Sequence, residues 1–267
     1  MFGDWKINPP SYFTIFGKNI YFYGVIIAVA FLLGILYVSK NAKKVGLTED
    51  DTYDALIWMI PFSIIGARLY FVLFKLDYYL QNPREIIAVW EGGLAIYGGI
   101  IAGVIVIFLV CRHKKVSVMA MLDLFIVACC IGQAIGRWGN FMNREAFGAE
   151  TEVFCRMGLT SPGGTTIYVH PTFLYESLWN LVGFLFLNRI IQKGRRFPGQ
   201  CLYSYFIWYG IGRFWIEGLR TDSLYIGHTN LRISQLLSAA LVVFGAVMYV
   251  IQMRKCKAGT DEPETQC

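Results

Sequence analysis

The chain has 267 residues, 56% of them hydrophobic and 16% charged, with a formal net charge of +6 and a mean hydropathy of +0.49. This composition excludes an ordinary soluble domain and predicts several membrane spans. It also excludes a nucleic-acid-binding surface, because the Lys and Arg residues sit in short linkers between apolar runs rather than in a basic stripe.

The amino-terminal stretch Met1–Asn19 lacks a basic region and a small-residue cleavage site, so it reads as a retained tail. Apolar runs then follow at Ile20–Val38, Tyr53–Phe74, Leu94–Cys111, Val116–Gly136, Pro171–Ile191, Cys201–Leu219 and Ile233–Ile251. Each approaches the roughly 20 residues that a bilayer requires. The expected fold is an all-α polytopic membrane protein with seven transmembrane helices over residues 1–255. The polar segment 256–267 is expected to be a disordered cytoplasmic tail.

The linkers alternate in charge. Lys40, Lys43 and Lys44 follow the first run, Arg112, Lys114 and Lys115 the third, Arg189, Lys193, Arg195 and Arg196 the fifth, and Arg254, Lys255 and Lys257 the last. The intervening linkers are poorer in basic residues, so the basic side is cytoplasmic, the amino terminus external and the carboxyl terminus cytoplasmic. The longest linker, about 138–170, is expected to form a small external head between spans four and five, with a hairpin near Ser161–Thr166. No internal repeat is visible, which speaks against an inverted-repeat transporter. Seven cysteines form neither a CxxC pair nor a zinc-type spacing, so no metal site or disulfide framework is implied.

Polar side chains at membrane depth must be paired or bind something polar. The densest group lies in Gly136–Gly148, GRWGNFMNREAFG, where Arg137, Asn140, Asn143 and Glu145 crowd together between glycines. A capped, solvated helix end does not need so many donors. A site for an anionic membrane substrate does. In the sixth run, Tyr209, Arg213, Glu217 and Arg220 form a polar stripe, with Glu217 four residues beyond Arg213 and able to hold its guanidinium.

Arg68, in GARLY of the second run, reads equally as a structural arginine and as a lipid-binding one. Paired glycines in GGLAIYGG (Gly92–Gly99) allow either close helix packing or approach of a head group, with Tyr97 as hydroxyl donor. His170 opens HPTFLYE (His170–Glu176) and is either structural or a proton shuttle, while Pro171 suits the first helical turn. Tyr23, early in the first run, reads as an interfacial anchor.

These motifs, in order from Tyr23 to Arg220, strongly resemble the prolipoprotein diacylglyceryl transferases of bacterial membranes. The most specific is G-R-x-G-N-F-x-N-x-E-x-x-G at Gly136–Gly148. The resemblance implies a seven-span enzyme of the bacterial plasma (inner) membrane. Its substrates would be phosphatidylglycerol and the lipobox cysteine of prolipoprotein signal peptides, and it would release glycerol 1-phosphate. By resemblance Arg137 and Arg213 are essential, with Tyr23, Asn140, Glu145, Gly148 and Glu217 in support.

Two departures stand out: Tyr97 occupies a position where relatives often carry His, and Phe173 one where they often carry Gln. Arginines suit a departing phosphate, and the thiol proton can pass to Tyr97, Glu145 or His170. The wider binding set also takes in Arg68, Asn143, Tyr209 and Arg220. No cofactor is called for, because phosphatidylglycerol carries its own leaving group. The rival readings are a transporter or flippase for an anionic amphiphile and a non-catalytic scaffold.

Overall fold

The structure, a computed structural model, describes residues 5–6, 9–160, 164–221 and 232–260. Every expected apolar run forms a helix. In chain order the helices are α1 (Phe22–Asn41), α2 (Glu49–Phe74), α3 (Leu76–Gln81), α4 (Ile96–Lys114), α5 (Val118–Asn143), α6 (Thr172–Lys193), α7 (Gln200–Leu219) and α8 (Ile233–Thr260). Five of them, α1, α2, α4, α5 and α8, are long and apolar enough to cross a membrane, which makes the chain a helical multi-pass membrane protein. Helices α6 and α7 are of similar length but less apolar, because they carry Glu176, Asn180 and Asn188, and Arg213 and Glu217.

Short strands accompany the helices: β1 (Trp5–Lys6), β2 (Tyr12–Ile15), β3 (Lys18–Tyr21), β4 (Met157–Thr160) and β5 (Thr166–Val169). The expected hairpin between the fourth and fifth long helices is the antiparallel pair β4–β5, and β1 adds to β4 in parallel. Its apolar side, Met157 and Val169, packs on Phe173 and Phe141, so the hairpin is seated on the α5 end and the α6 start.

Several boundaries differ from expectation. The amino-terminal stretch read as a tail contains the hairpin β2–β3, whose turn residues Phe16 and Gly17 have φ of 50° and 75°. A phenylalanine at that position gives no turn signal in the sequence. Ile20 belongs to β3 rather than to the first span. Helix α2 starts before Tyr53 because Thr48 and Asp51 form a reciprocal capping box. Helix α5 continues past Gly136 to Asn143, so Asn140 and Asn143 are helical rather than part of a head. Helix α8 extends to Thr260, into the segment expected to be a disordered tail. Residues 261–267, the Ser161–Gly163 part of the expected head, Met1–Asp4 and the linker 222–231 lie outside the described residues.

The chain forms two compact units, 38–122 and 1–37 with 123–267. In the first, α2 and α4 cross at Gly66 and Gly98, where a Cβ on either glycine would collide with the other's carbonyl. The glycines of the Gly92–Gly99 motif are therefore packing and turn residues: Gly98 makes this crossing, and Gly92 and Gly93 have φ of 91° and 71°. At the other end of the pair, Lys114 binds Asp51 at 3.1 Å and Asp54 at 2.5 Å.

In the second unit, Trp179 and Trp208 stack at 4.5 Å. Each indole N–H donates to the other's carbonyl at 3.0 Å, and Gly183 and Gly212 leave room for the rings. Buried Asp123 accepts from Arg195 at 2.7 Å and from the N–H groups of Gly199 and Leu202 at 2.8 and 2.9 Å. Toward the other end of α5, Trp138 donates to Ser177, which donates to the Ala134 carbonyl. Helix α5 is thus pinned near both ends against the α6–α7 pair.

Candidate active site

The last turns of α5 carry Arg137, Asn140 and Asn143 at helical spacing. Arg137 Nη1 donates to Asn140 Oδ1 at 3.3 Å, and Asn140 Nδ2 donates to Glu145 Oε1 at 2.9 Å. Asn143 Nδ2 reaches the same Glu145 oxygen at 3.4 Å. Glu145 itself is exposed. Its neighbours Arg144 and Ala146 have φ of 54° and 57°, a reversal that turns the chain off the helix.

That reversal delivers Gly148 to a crowded junction. Its N–H donates to the His170 carbonyl at 3.0 Å, and the Ala149 N–H donates to the Leu219 carbonyl at 2.8 Å. A Cβ on Gly148 would stand 2.7 Å from His170 Cβ and 2.9 Å from the Leu219 oxygen. The glycine is demanded by this packing, which brings the α5 exit, the α6 entry and the α7 end together. Gly148 also forms an isolated β-bridge with Arg220.

The centre of the site is Glu176, in the second turn of α6. Its carboxylate pairs with Arg137 Nη2 at 2.5 Å, Arg213 Nη1 at 3.3 Å and Arg220 Nη1 at 3.3 Å. Arg213 is held from its own helix by Glu217 at 2.6 Å, the spacing expected from the sequence. The side chains of Glu176 and Glu217 are only 7% and 3% exposed. Three guanidiniums therefore share two buried carboxylates. Unit charges 4 Å apart interact by about 4 kcal/mol at an effective dielectric near 20, so the cluster cannot lose a carboxylate without strong mutual repulsion. It is suited to receive a further anion, whose oxygens can share the guanidinium donors with Glu176.

The other expected residues fall as follows. The Tyr23 ring lies over Gly139, where a Cβ would come within 2.7 Å of it. Tyr209, one turn before Arg213, stacks on Tyr205 at 5.4 Å. His170 Nδ1 is 3.4 Å from the Tyr175 hydroxyl, which also meets Cys155 Sγ at 3.1 Å.

Arg68 and Tyr97 belong to the other unit. Arg68 is buried and donates to the carbonyls of Glu85, Ile86, Gly92 and Gly93 at 2.5–3.0 Å. These four bonds staple the 85–93 loop, the structural half of the expectation for this arginine. Tyr97 sits in the first turn of α4, half exposed.

Within HPTFLYE the motif alone does not mark Glu176 as the centre of the cluster. The available signal was a carboxylate inside an apolar span, which requires a cation.

The fold and this cluster define a helical multi-pass membrane protein that gathers three arginines on two buried carboxylates where its helices end. A family model, prolipoprotein diacylglyceryl transferase, matches residues 10–251. The phosphatidylglycerol–prolipoprotein diacylglyceryl transferase of Finegoldia magna is 47% identical over 238 residues, 89% of this chain and 93% of that protein. Those of Limosilactobacillus reuteri and Enterococcus faecalis are 44% and 43% identical, covering 89% and 91% of this chain and 88% and 90% of theirs. The chain belongs to the prolipoprotein diacylglyceryl transferase family and is a transferase.

Proposed function

We propose that the chain transfers the diacylglyceryl group of phosphatidylglycerol to the lipobox cysteine thiol of a prolipoprotein signal peptide. The products are a thioether and glycerol 1-phosphate. The observation that carries this reading is the convergence of Arg137, Arg213 and Arg220 on Glu176. The thiolate sulfur attacks the glyceryl carbon, the carbon–oxygen bond breaks, and its electron pair leaves on the phosphate. A singly charged diester becomes a more highly charged monoester. Guanidiniums already balanced by carboxylates gain most when that charge grows, which favours the transition state over bound lipid.

In this reading Arg137 and Arg213 clamp the phosphate, and Arg220 adds to the field. Asn140 and Asn143 orient Glu145, Glu217 orients Arg213, and Tyr23 borders the lipid. Asn140 and Asn143 both donate to one Glu145 oxygen, Oε1, and Oε2 accepts the thiol proton. A free thiol has a pKa of about 8.5, so modest assistance suffices near neutrality. Seven membrane crossings, an external amino terminus, a cytoplasmic carboxyl terminus and residence in a bacterial plasma membrane complete the proposal. The lengths of α6 and α7, 22 and 20 residues, support the two crossings not carried by apolarity alone. Neither a cofactor nor nucleic acid enters the reaction.

The test incubates purified chain with labelled phosphatidylglycerol and a lipobox peptide. Label on the peptide cysteine, with glycerol 1-phosphate released in equal amount, is the expected result. Lipid movement across vesicles without peptide labelling would replace this reading with the carrier one, which family membership does not favour.

A further inference from the structure

At the end of α6 remote from Glu176, the α6–α7 turn and α8 border a cavity of about 570 Å³. An α-helix rises about 1.5 Å per residue, so Lys193 lies about 25 Å along the axis from Glu176. This distance approaches the roughly 30 Å of a bilayer core.

Three cations line the cavity, Arg189, Lys193 and Arg196. All three are exposed, and none has a carboxylate partner among the described residues. Asp123, the buried acid that binds this turn, is already occupied by Arg195 and two backbone amides. Phe186 and Ile190 also line it. Phe186, Arg189, Ile190 and Lys193 recur at helical spacing, so one face of α6 is apolar nearer the middle of the helix and cationic at its end. Tyr249 of α8 closes the side, its hydroxyl accepting from Gln200 Nε2 at 3.2 Å.

A solvated basic loop accounts for the charge alone, and Lys193 also suits the negative end of its helix. Neither explains why three cations border one concavity with an apolar wall. We propose that this cavity binds the phosphate head group of an anionic phospholipid, with an acyl chain lying along Phe186 and Ile190. The site is separate from the Glu176 cluster and does not depend on the transfer reaction.

The test uses the full chain in phosphatidylcholine vesicles doped with photoactivatable phosphatidic acid, and maps the cross-linked peptides. Cross-links between residues 186 and 196 are expected with phosphatidic acid and not with photoactivatable phosphatidylcholine. They should fall at least tenfold in the triple variant Arg189→Gln, Lys193→Gln, Arg196→Gln. The variant Arg189→Lys, Arg196→Lys should retain them, and transfer by the triple variant in detergent should match wild type, which verifies its folding. Equal cross-linking of the two lipids, or no loss in the triple variant, would overturn the proposal. Displacement of the lipid by millimolar inorganic phosphate would overturn it in favour of a soluble anion. Cross-links that arise only after removal of residues 261–267, which include Asp261, Glu262 and Glu264, would assign the cavity to the chain's own acidic end.

Discussion

Glu176 on α6 meets Arg137 on α5 at 2.5 Å, and through this contact the polar end of α5 joins the arginine stripe of α7. Without the Glu176 carboxylate, Arg137 would keep its bond to Asn140 and Arg213 its pair with Glu217, with nothing to join the two groups.

Removing the Glu176 carboxylate should therefore affect both stability and reaction. Glu176→Gln leaves three guanidiniums with one buried counter-charge, and breaking such a pair costs about 3–5 kcal/mol. Thermal denaturation in detergent should show a lower midpoint, and turnover should fall at least tenfold. Glu176→Asp, which keeps the charge on a shorter arm, should recover part of both. A wild-type midpoint and turnover in Glu176→Gln would remove Glu176 from the cluster.

Arg137→Lys and Arg213→Lys keep the charge but lose the planar fork. Each should lower turnover roughly tenfold or more, while phosphatidylglycerol affinity falls much less. Turnover and lipid binding measured on the same purified variants decide the matter. Equal losses in both would make these arginines uniform lipid binders.

Arg68 should behave differently. Its donors satisfy four backbone carbonyls, so Arg68→Ala should cost about 3 kcal/mol of stability through unmet carbonyls. The KM for phosphatidylglycerol in the folded fraction should stay unchanged. A raised KM with an unchanged melting midpoint would return Arg68 to the substrate site.

Tyr97 should not be the base. A phenol is a weak proton acceptor beside a carboxylate or an imidazole, and the residue is half exposed at the start of α4. Tyr97→Phe should keep measurable turnover, and Tyr97→His should be tolerated. Complete loss in a well-folded Tyr97→Phe would make the hydroxyl a chemical participant.

Orientation can be read with an impermeant thiol reagent on intact cells, using single cysteines in a background stripped of reactive ones. Positions in the 40–44, 112–115 and 189–196 loops should be protected, and positions in the 144–170 segment labelled. The reverse pattern would invert the proposed topology.

The sequence by itself determined where the long helices lie, because a bilayer imposes one length and one polarity on each of them. It also determined the local polar pairs. Arg213 and Glu217 are one turn apart on a single helix, and Arg137, Asn140 and Glu145 are near neighbours in the chain. Only the tertiary structure decided that these two groups are one cluster. Glu176 is distant in sequence from Arg137 and Arg213, and nothing in helical periodicity says which faces of α5, α6 and α7 meet. The Trp179–Trp208 stack, the Asp123 clamp and the Gly148 junction settle that, by packing and hydrogen bonding between residues far apart in the chain. The same reason separates Arg68 from the other arginines. Its apolar context looked alike in the sequence, but the loop it binds returns 17–25 residues later, and only the folded chain brings those carbonyls to the guanidinium.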